Sequence, residues 1–141
     1  ALKCIGFYGT YTYTHTRVNN FNFEGRENEK DLSLPGSPEH TANASLYFEK
    51  KGLNVRLSYN YASSFIDEMG EVAALDRYYD AVSYMDLNAS YTFGKKIKTT
   101  FYADATNLLN QPLRYYQGTK DRTMQSEHYG VKINAGVKVN F

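Results

Sequence analysis

The sequence predicts an all-β protein, specifically an antiparallel up-and-down transmembrane β-barrel. About six strands of it lie in these 141 residues, read as the C-terminal strands of a larger barrel. Three observations predict this. First, segment after segment alternates apolar and polar residues with the period of two that a strand presents to two different environments. Second, the connections between these segments alternate strictly: long, tight, long, tight, long. Short turns on one side and long loops on the other are the layout of a membrane barrel. Third, the chain is rich in Tyr, an amphipathic aromatic, with 14 Tyr beside 8 Phe and no Trp. A ring with a polar tip suits a membrane–water interface, although it also suits ordinary strands.

Bulk properties bound the alternatives. Net charge is +1 at pH 7, so no general attraction to nucleic acid is expected. Mean hydropathy is −0.59 and no apolar run has the length of a membrane helix. A barrel strand faces lipid with only half its residues, so such a mean is compatible with a membrane wall. Cys4 is the only cysteine and has neither CxxC nor Cys/His spacing, which leaves it as a small apolar residue. The first residues have no signal-peptide pattern, as expected of a mature chain or a piece of one.

Residues 3–17 form the first strand, with Ile5, Phe7, Gly9, Tyr11 and Tyr13 on one face and Leu2 out of phase before it. A polar loop follows from Val18 to His40. The second strand, Thr41 to Glu49, places Ala42, Ala44, Leu46 and Phe48 together, and Lys50-Lys51-Gly52 turns it. The third runs from Leu53 to about Ser63 with Leu53, Val55, Leu57, Tyr59 and Tyr61 on the apolar face. Residues 64–83 are read as a long connection with a helical turn near Glu71–Leu75. The fourth strand, Tyr84 to Phe93, turns at Gly94-Lys95-Lys96 into the fifth, Ile97 to Thr106. Residues 107–127 form the third long loop.

The final strand, from His128, puts Tyr129, Val131, Ile133, Ala135, Val137, Val139 and Phe141 on one face. Plain alternation also describes a half-buried strand of a soluble sheet. This run exceeds the usual 5–6 residues and reaches the ~9–11 that a tilted membrane strand needs. Asn43-Ala44-Ser45 and Asn88-Ala89-Ser90, each followed by an aromatic and a Lys-Lys turn, stand 45 residues apart. Asn134-Ala135-Gly136 begins a weaker third copy 46 residues on. A repeat of this kind indicates an array of hairpins. Six strands are too few to close a membrane barrel, so the remaining strands are expected to lie elsewhere.

The third loop reads Asn107-Leu108-Leu109-Asn110-Gln111-Pro112-Leu113-Arg114-Tyr115-Tyr116, and the chain ends in an alternating strand on Phe141. This order resembles the C-terminal end of TonB-dependent receptors of the Gram-negative outer membrane, most strongly from residue 84 onward. Leu34-Pro35-Gly36-Ser37-Pro38-Glu39-His40 is similar to a stretch there too. The resemblance implies a 22-stranded barrel with a plug domain in its lumen, and no plug is present in residues 1–141. It implies uptake of a scarce nutrient such as an iron chelate, haem, cobalamin or a glycan. It also implies energy from an inner-membrane coupling protein that acts on the missing N-terminal part. The implied partners are outer-membrane lipid, the remaining barrel strands and plug, and the barrel-assembly machinery. In such barrels the last strand is the assembly signal, here Val137, Val139 and Phe141. The alternatives are a segment of another outer-membrane barrel, such as a passive channel, or a soluble β-rich binding domain.

Candidate chemistry is sparse. Arg114, Tyr115, Tyr116, Tyr78 and Tyr79 are candidate external-loop contacts to a ligand, although Arg114 is favoured as a brace for its loop. His15, His40 and His128 are far apart and need no metal to be explained. Asp67, Glu68 and Glu71 lack calcium-loop spacing. The two Asn-Ala-Ser sequons lie inside strands, facing the lumen. No nucleophile–base pair, phosphate loop or paired carboxylates emerge, so neither an enzyme nor a cofactor or metal site is expected.

Overall fold

A computed structural model describes residues 4–18, 25–27, 29–30 and 32–141. Leu2 and parts of the 18–40 loop lie outside the described residues. Six strands form one antiparallel sheet: β1 (Ile5–Tyr13), β2 (His40–Lys50), β3 (Leu53–Ala62), β6 (Val82–Phe93), β7 (Lys98–Thr106) and β10 (Lys132–Asn140), in that spatial order. Every neighbour in the sheet is also the next long strand in sequence, which is the up-and-down arrangement. β1 and β10 each pair on one side only, so the sheet is an open section of barrel wall.

Register follows the alternation. Leu46, Leu57, Leu87, Ala105 and Ile133 stand opposite one another in one row across five strands. One residue along, Gly6, Tyr47, Arg56, Asn88, Asp104 and Asn134 make a row across all six on the other face. The polar face is concave, and its hollow is lined by Tyr47, Arg56, Asn88, Ser90, Tyr102 and Asp104 among others. Asn88 donates to Asp104 across the β6–β7 pair at 2.8 Å, and Ser45 and Ser58 bond at 3.1 Å. The apolar face has no protein against it: Phe7 is 72% exposed, Ile133 70% and Val137 55%. An apolar sheet face of this extent is covered by lipid in a barrel.

Two edge glycines on the polar face make room for rings. Gly6 stands opposite Tyr47 and Gly136 opposite Tyr102, and each ring occupies the space a Cβ would take. A Tyr covering a cross-strand Gly restores the contact that the Gly itself lacks. The tight turns need positive φ as well, supplied by Lys51 (49°), Gly52 (85°) and Gly94 (101°).

The long connections depart from the sequence reading. Residues 64–83 and 107–127 are not plain loops. They carry β4 (Phe65–Glu68), β5 (Arg77–Tyr79), β8 (Leu113–Gln117) and β9 (Thr123–Glu127), which form a second antiparallel sheet in that order. A 3-10 turn at Ala73–Leu75 lies where the helical turn was expected. Strands of three to five residues are too short for alternation to be read from sequence. The first and last wall strands are shorter than the alternating runs, because residues 14–17 and 128–131 leave the ladder.

Candidate functional site

All three long connections emerge at one end of the wall, and together they build a cap. Its foundation is Asn107, directly after β7, held at φ 57°. Asn tolerates this left-handed conformation better than most residues. Its backbone N–H donates to the Asp86 carboxylate at 2.9 Å, and Leu108 N–H donates to the Met85 carbonyl at 2.8 Å. The Asn107 side-chain amide donates to the carbonyls of Gln111 (3.1 Å) and Gly130 (3.2 Å), while its oxygen accepts from Gln111 N–H at 2.8 Å. Gln111 Oε1 in turn accepts from Ser83 N–H at 3.2 Å. The Asn-Leu-Leu-Asn-Gln stretch is therefore a latch that ties the ends of β6, β7 and the approach to β10 together.

Beyond the latch, the small sheet has two faces. Ile66, Tyr78 and Tyr116 are in register on one, and Phe65, Tyr79 and Tyr115 on the other. Tyr78 and Tyr116 stack with centroids 5.1 Å apart and ring planes at 5°. Ile66 and Tyr116 are the only buried large apolar residues among the described residues. Tyr79 meets Tyr115 edge-on at 5.1 Å and Phe65 at 5.4 Å. Burial pushes the Tyr78 hydroxyl pKa up. Burial, together with a hydrogen bond to Tyr84, raises Tyr79 to about 12.

Three arginines close the cap. Arg26, 1% exposed, grips Asp76, also 1% exposed, with both terminal nitrogens; the Nη2–Oδ2 distance is 2.9 Å. The same guanidinium holds Glu29 at 3.0 and 2.7 Å and the Gly70 carbonyl at 3.1 Å. Its pKa is raised by the hydrogen bonds to Asp76 and then Glu29. This cluster fastens the 18–40 loop to the 64–83 loop, as does Gly36 N–H donating to the Ile66 carbonyl at 2.8 Å. Arg77 holds Asp67 at 2.8 Å and Glu68 at 2.9 Å and lies over Tyr115. Arg114 holds Asp80 at 2.6 Å, reaches Thr123 and the Lys120 carbonyl, and lies over Tyr116.

The structure thus gathers Tyr78, Tyr79, Arg114, Tyr115 and Tyr116 into one sheet, where their side chains meet one another; Tyr116 is buried beneath. Asp67 and Glu68 are engaged by Arg77. His40 accepts or donates at Nδ1 to the Tyr11 hydroxyl at 2.7 Å, and His15 lies 4.0 Å from Glu39. Among the described residues, no three His, Cys, Asp or Glu side chains gather in a way that would hold a metal. Val137 and Val139 lie in β10 opposite Phe101 and Thr99, and Phe141 follows the strand with its side chain fully exposed. Sequence reasoning missed the Arg26–Asp76 pair, since a single Arg in an acidic loop carries no signal of its partner 50 residues away. It singled out the Asn107 stretch only by resemblance, without a role.

A wall with a concave polar face, a bare apolar face and a loop cap at one end is the architecture of a membrane-barrel section. The family model described as TonB dependent receptor-like, beta-barrel, matches residues 3–108. The chain belongs to this family. No curated protein and no solved structure matches the chain. The matched residues carry β1–β7; β8, β9 and β10 follow them, joined through the β5–β8 and β7–β10 ladders. Members of this family are outer-membrane receptors and transporters rather than enzymes, and they work with a TonB-type partner.

Proposed function

We propose that this chain is part of the barrel wall of an outer-membrane receptor that imports a scarce nutrient using energy from the inner membrane. The observation that carries the reading is the family match across most of a wall whose two faces are chemically opposite. The nutrient belongs to the class of iron chelates, haem, cobalamin or glycans. The plug and the remaining strands of the full-length protein complete the lumen, and the inner-membrane coupling protein acts through that plug. The Arg56–Asn88–Asp104 row offers the plug a hydrogen-bonding surface. At the outer end, Tyr79 and Tyr115 are the half-buried rings available to a ligand, while Tyr78, Tyr116 and Arg114 support them. Before folding, β10 offers a free backbone edge and one apolar face, Val137, Val139 and Phe141, to the assembly machinery by strand addition.

The test is uptake by cells carrying the full-length protein that contains these residues. Under limitation for each nutrient class, labelled ligand is followed before and after collapse of the inner-membrane proton-motive force. Saturable uptake that stops on collapse is expected. Uptake that neither saturates nor responds to collapse would make the protein a passive channel and reject the reading.

A further inference from the structure

The end of the wall opposite the cap carries a charge pattern that the receptor reading does not use. Lys50 ends β2 and Lys51 follows it in the β2–β3 turn, while Lys95 and Lys96 occupy the β6–β7 turn; all four are exposed. The two turns are neighbours: Thr92 N–H donates to the Gly52 carbonyl at 2.9 Å, and Leu53 pairs with Tyr91. Among the described residues none of the four lysines makes an ion pair. The chain's net charge of +1 conceals this polarity, because most of the carboxylates lie in the cap connections.

What lies beside the lysines indicates their partner. Lys50 is in register with Leu53, and that row continues through Tyr91 and Phe101 on the apolar face. Tyr91, Phe93 and Phe101 stack in series with centroids 5.9 and 5.8 Å apart, each close to half exposed. Aromatic rings next to long cations at a strand end are the arrangement of a bilayer interface. There the rings sit at headgroup depth and the lysine stems rise to place their charge among the phosphates. The four lysines, without ion pairs among the described residues, stand together at adjoining hairpin ends, and they match a surface of anionic phosphates.

We propose that this rim binds the anionic phospholipid headgroups of the adjoining leaflet, with Lys50, Lys51, Lys95 and Lys96 as the phosphate ligands and Tyr91, Phe93 and Phe101 as the interfacial belt. The proposal rests on the barrel-wall reading for which side of the sheet meets lipid.

The experiment is native mass spectrometry of the purified full-length receptor. It is titrated with phosphatidylglycerol, with phosphatidylcholine and with inorganic phosphate. A lysine near an anionic surface is worth about fivefold in binding, so a preference for phosphatidylglycerol of roughly tenfold or more is expected. The preference should weaken with added salt. It should vanish in the K50Q/K51Q/K95Q/K96Q variant and persist when the same four are Arg, with heat-modifiable gel migration confirming that each variant is folded. Equal retention of the two lipids by the native receptor overturns the proposal, as does a preference that survives the Gln variant. Displacement of the lipid by millimolar inorganic phosphate overturns it too, since that is a simple anion site. Absence of any lipid preference in the native receptor, with its energised uptake intact, rejects this rim alone and leaves the receptor reading in place.

Discussion

The wall and the cap are both antiparallel sheets, yet they are held together in opposite ways. The wall's six strands have long ladders and almost nothing buried: both of its faces await a medium, lipid on one side and the contents of the lumen on the other. The cap's strands have three to five residues each, too few for the ladder alone to hold them. It holds by side chains instead: the Tyr78–Tyr116 stack in one row with Ile66, and ion pairs of which Arg26–Asp76 is withdrawn from solvent. A barrel wall can leave an apolar face bare because lipid covers it. A cap standing in water must bring its own interior, and here that interior is partly ionic.

The largest test of this contrast is Arg26→Ala. Removing one partner leaves Asp76 buried and uncompensated, at a cost of about 3–5 kcal/mol. Hydrogen exchange should show protection lost in β5 and β8 and unchanged in β2 and β3. Equal loss in both regions would mean that wall and cap form one cooperative unit.

The converse test places charge on the wall. Leu87 sits near the middle of β6 on the apolar face, so Leu87→Arg should cost ~2–4 kcal/mol on folding into bilayers. Asn134→Ser, on the polar face of β10, should cost far less. The cap's exchange pattern should not change in either variant. Equal penalties for the two substitutions would reverse or abolish the assignment of faces.

Between the regions stands the latch. Asn107→Ala removes the amide that spans Gln111 and Gly130 and places a Cβ residue without a hydrogen-bonding side chain at φ 57°. A loss of about 1–3 kcal/mol is expected, from unpaired polar groups alone. Exchange should quicken at residues 108–113 ahead of either sheet. If β7 or β8 opened first, the Asn107 network would be an accessory to the sheets and not their junction.

The same contrast explains what could be read from the sequence. Each wall strand repeats its two-residue pattern for nine or more residues, so the apolar face of Leu46, Leu57, Leu87 and Ile133 is legible in the sequence, while their alignment in one row comes from the ladders. The Lys-Lys turns mark where each hairpin reverses. β5 is only Arg77-Tyr78-Tyr79, and nothing in three residues separates a strand from a polar loop. Its structure comes from Tyr115 and Tyr116, nearly forty residues later, and from Arg26, fifty residues earlier than Asp76. Non-local pairing of short pieces leaves no periodic trace, so the sequence places Tyr78, Tyr79, Arg114, Tyr115 and Tyr116 in the long connections without revealing that they pack on one another.

Alkaline pH offers the smallest and most selective separation of the two regions. Burial and the Tyr84 hydrogen bond raise Tyr79 to about 12 in the folded cap, against 10.0 for the free side chain. The folded state therefore keeps its proton where the unfolded state would lose it. Below about pH 10 the contribution to stability is fully present, and it fades as pH rises from 10 toward 12. Tyr79 is only part-buried, which keeps the effect below that of the Arg26 or Leu87 changes. The arginines remain charged throughout this range, so Arg26–Asp76 does not titrate with it. Exchange rates corrected for intrinsic base catalysis should rise in β4, β5 and β8 between pH 10 and 12, with β2 and β3 lagging behind. Tyr79→Phe should flatten the part of that rise that belongs to this hydroxyl. A Tyr79→Phe cap that still loosens to the same degree would assign the alkaline sensitivity to Tyr78, whose pKa is raised by the same burial, and would move the polar weak point of the cap to its opposite face.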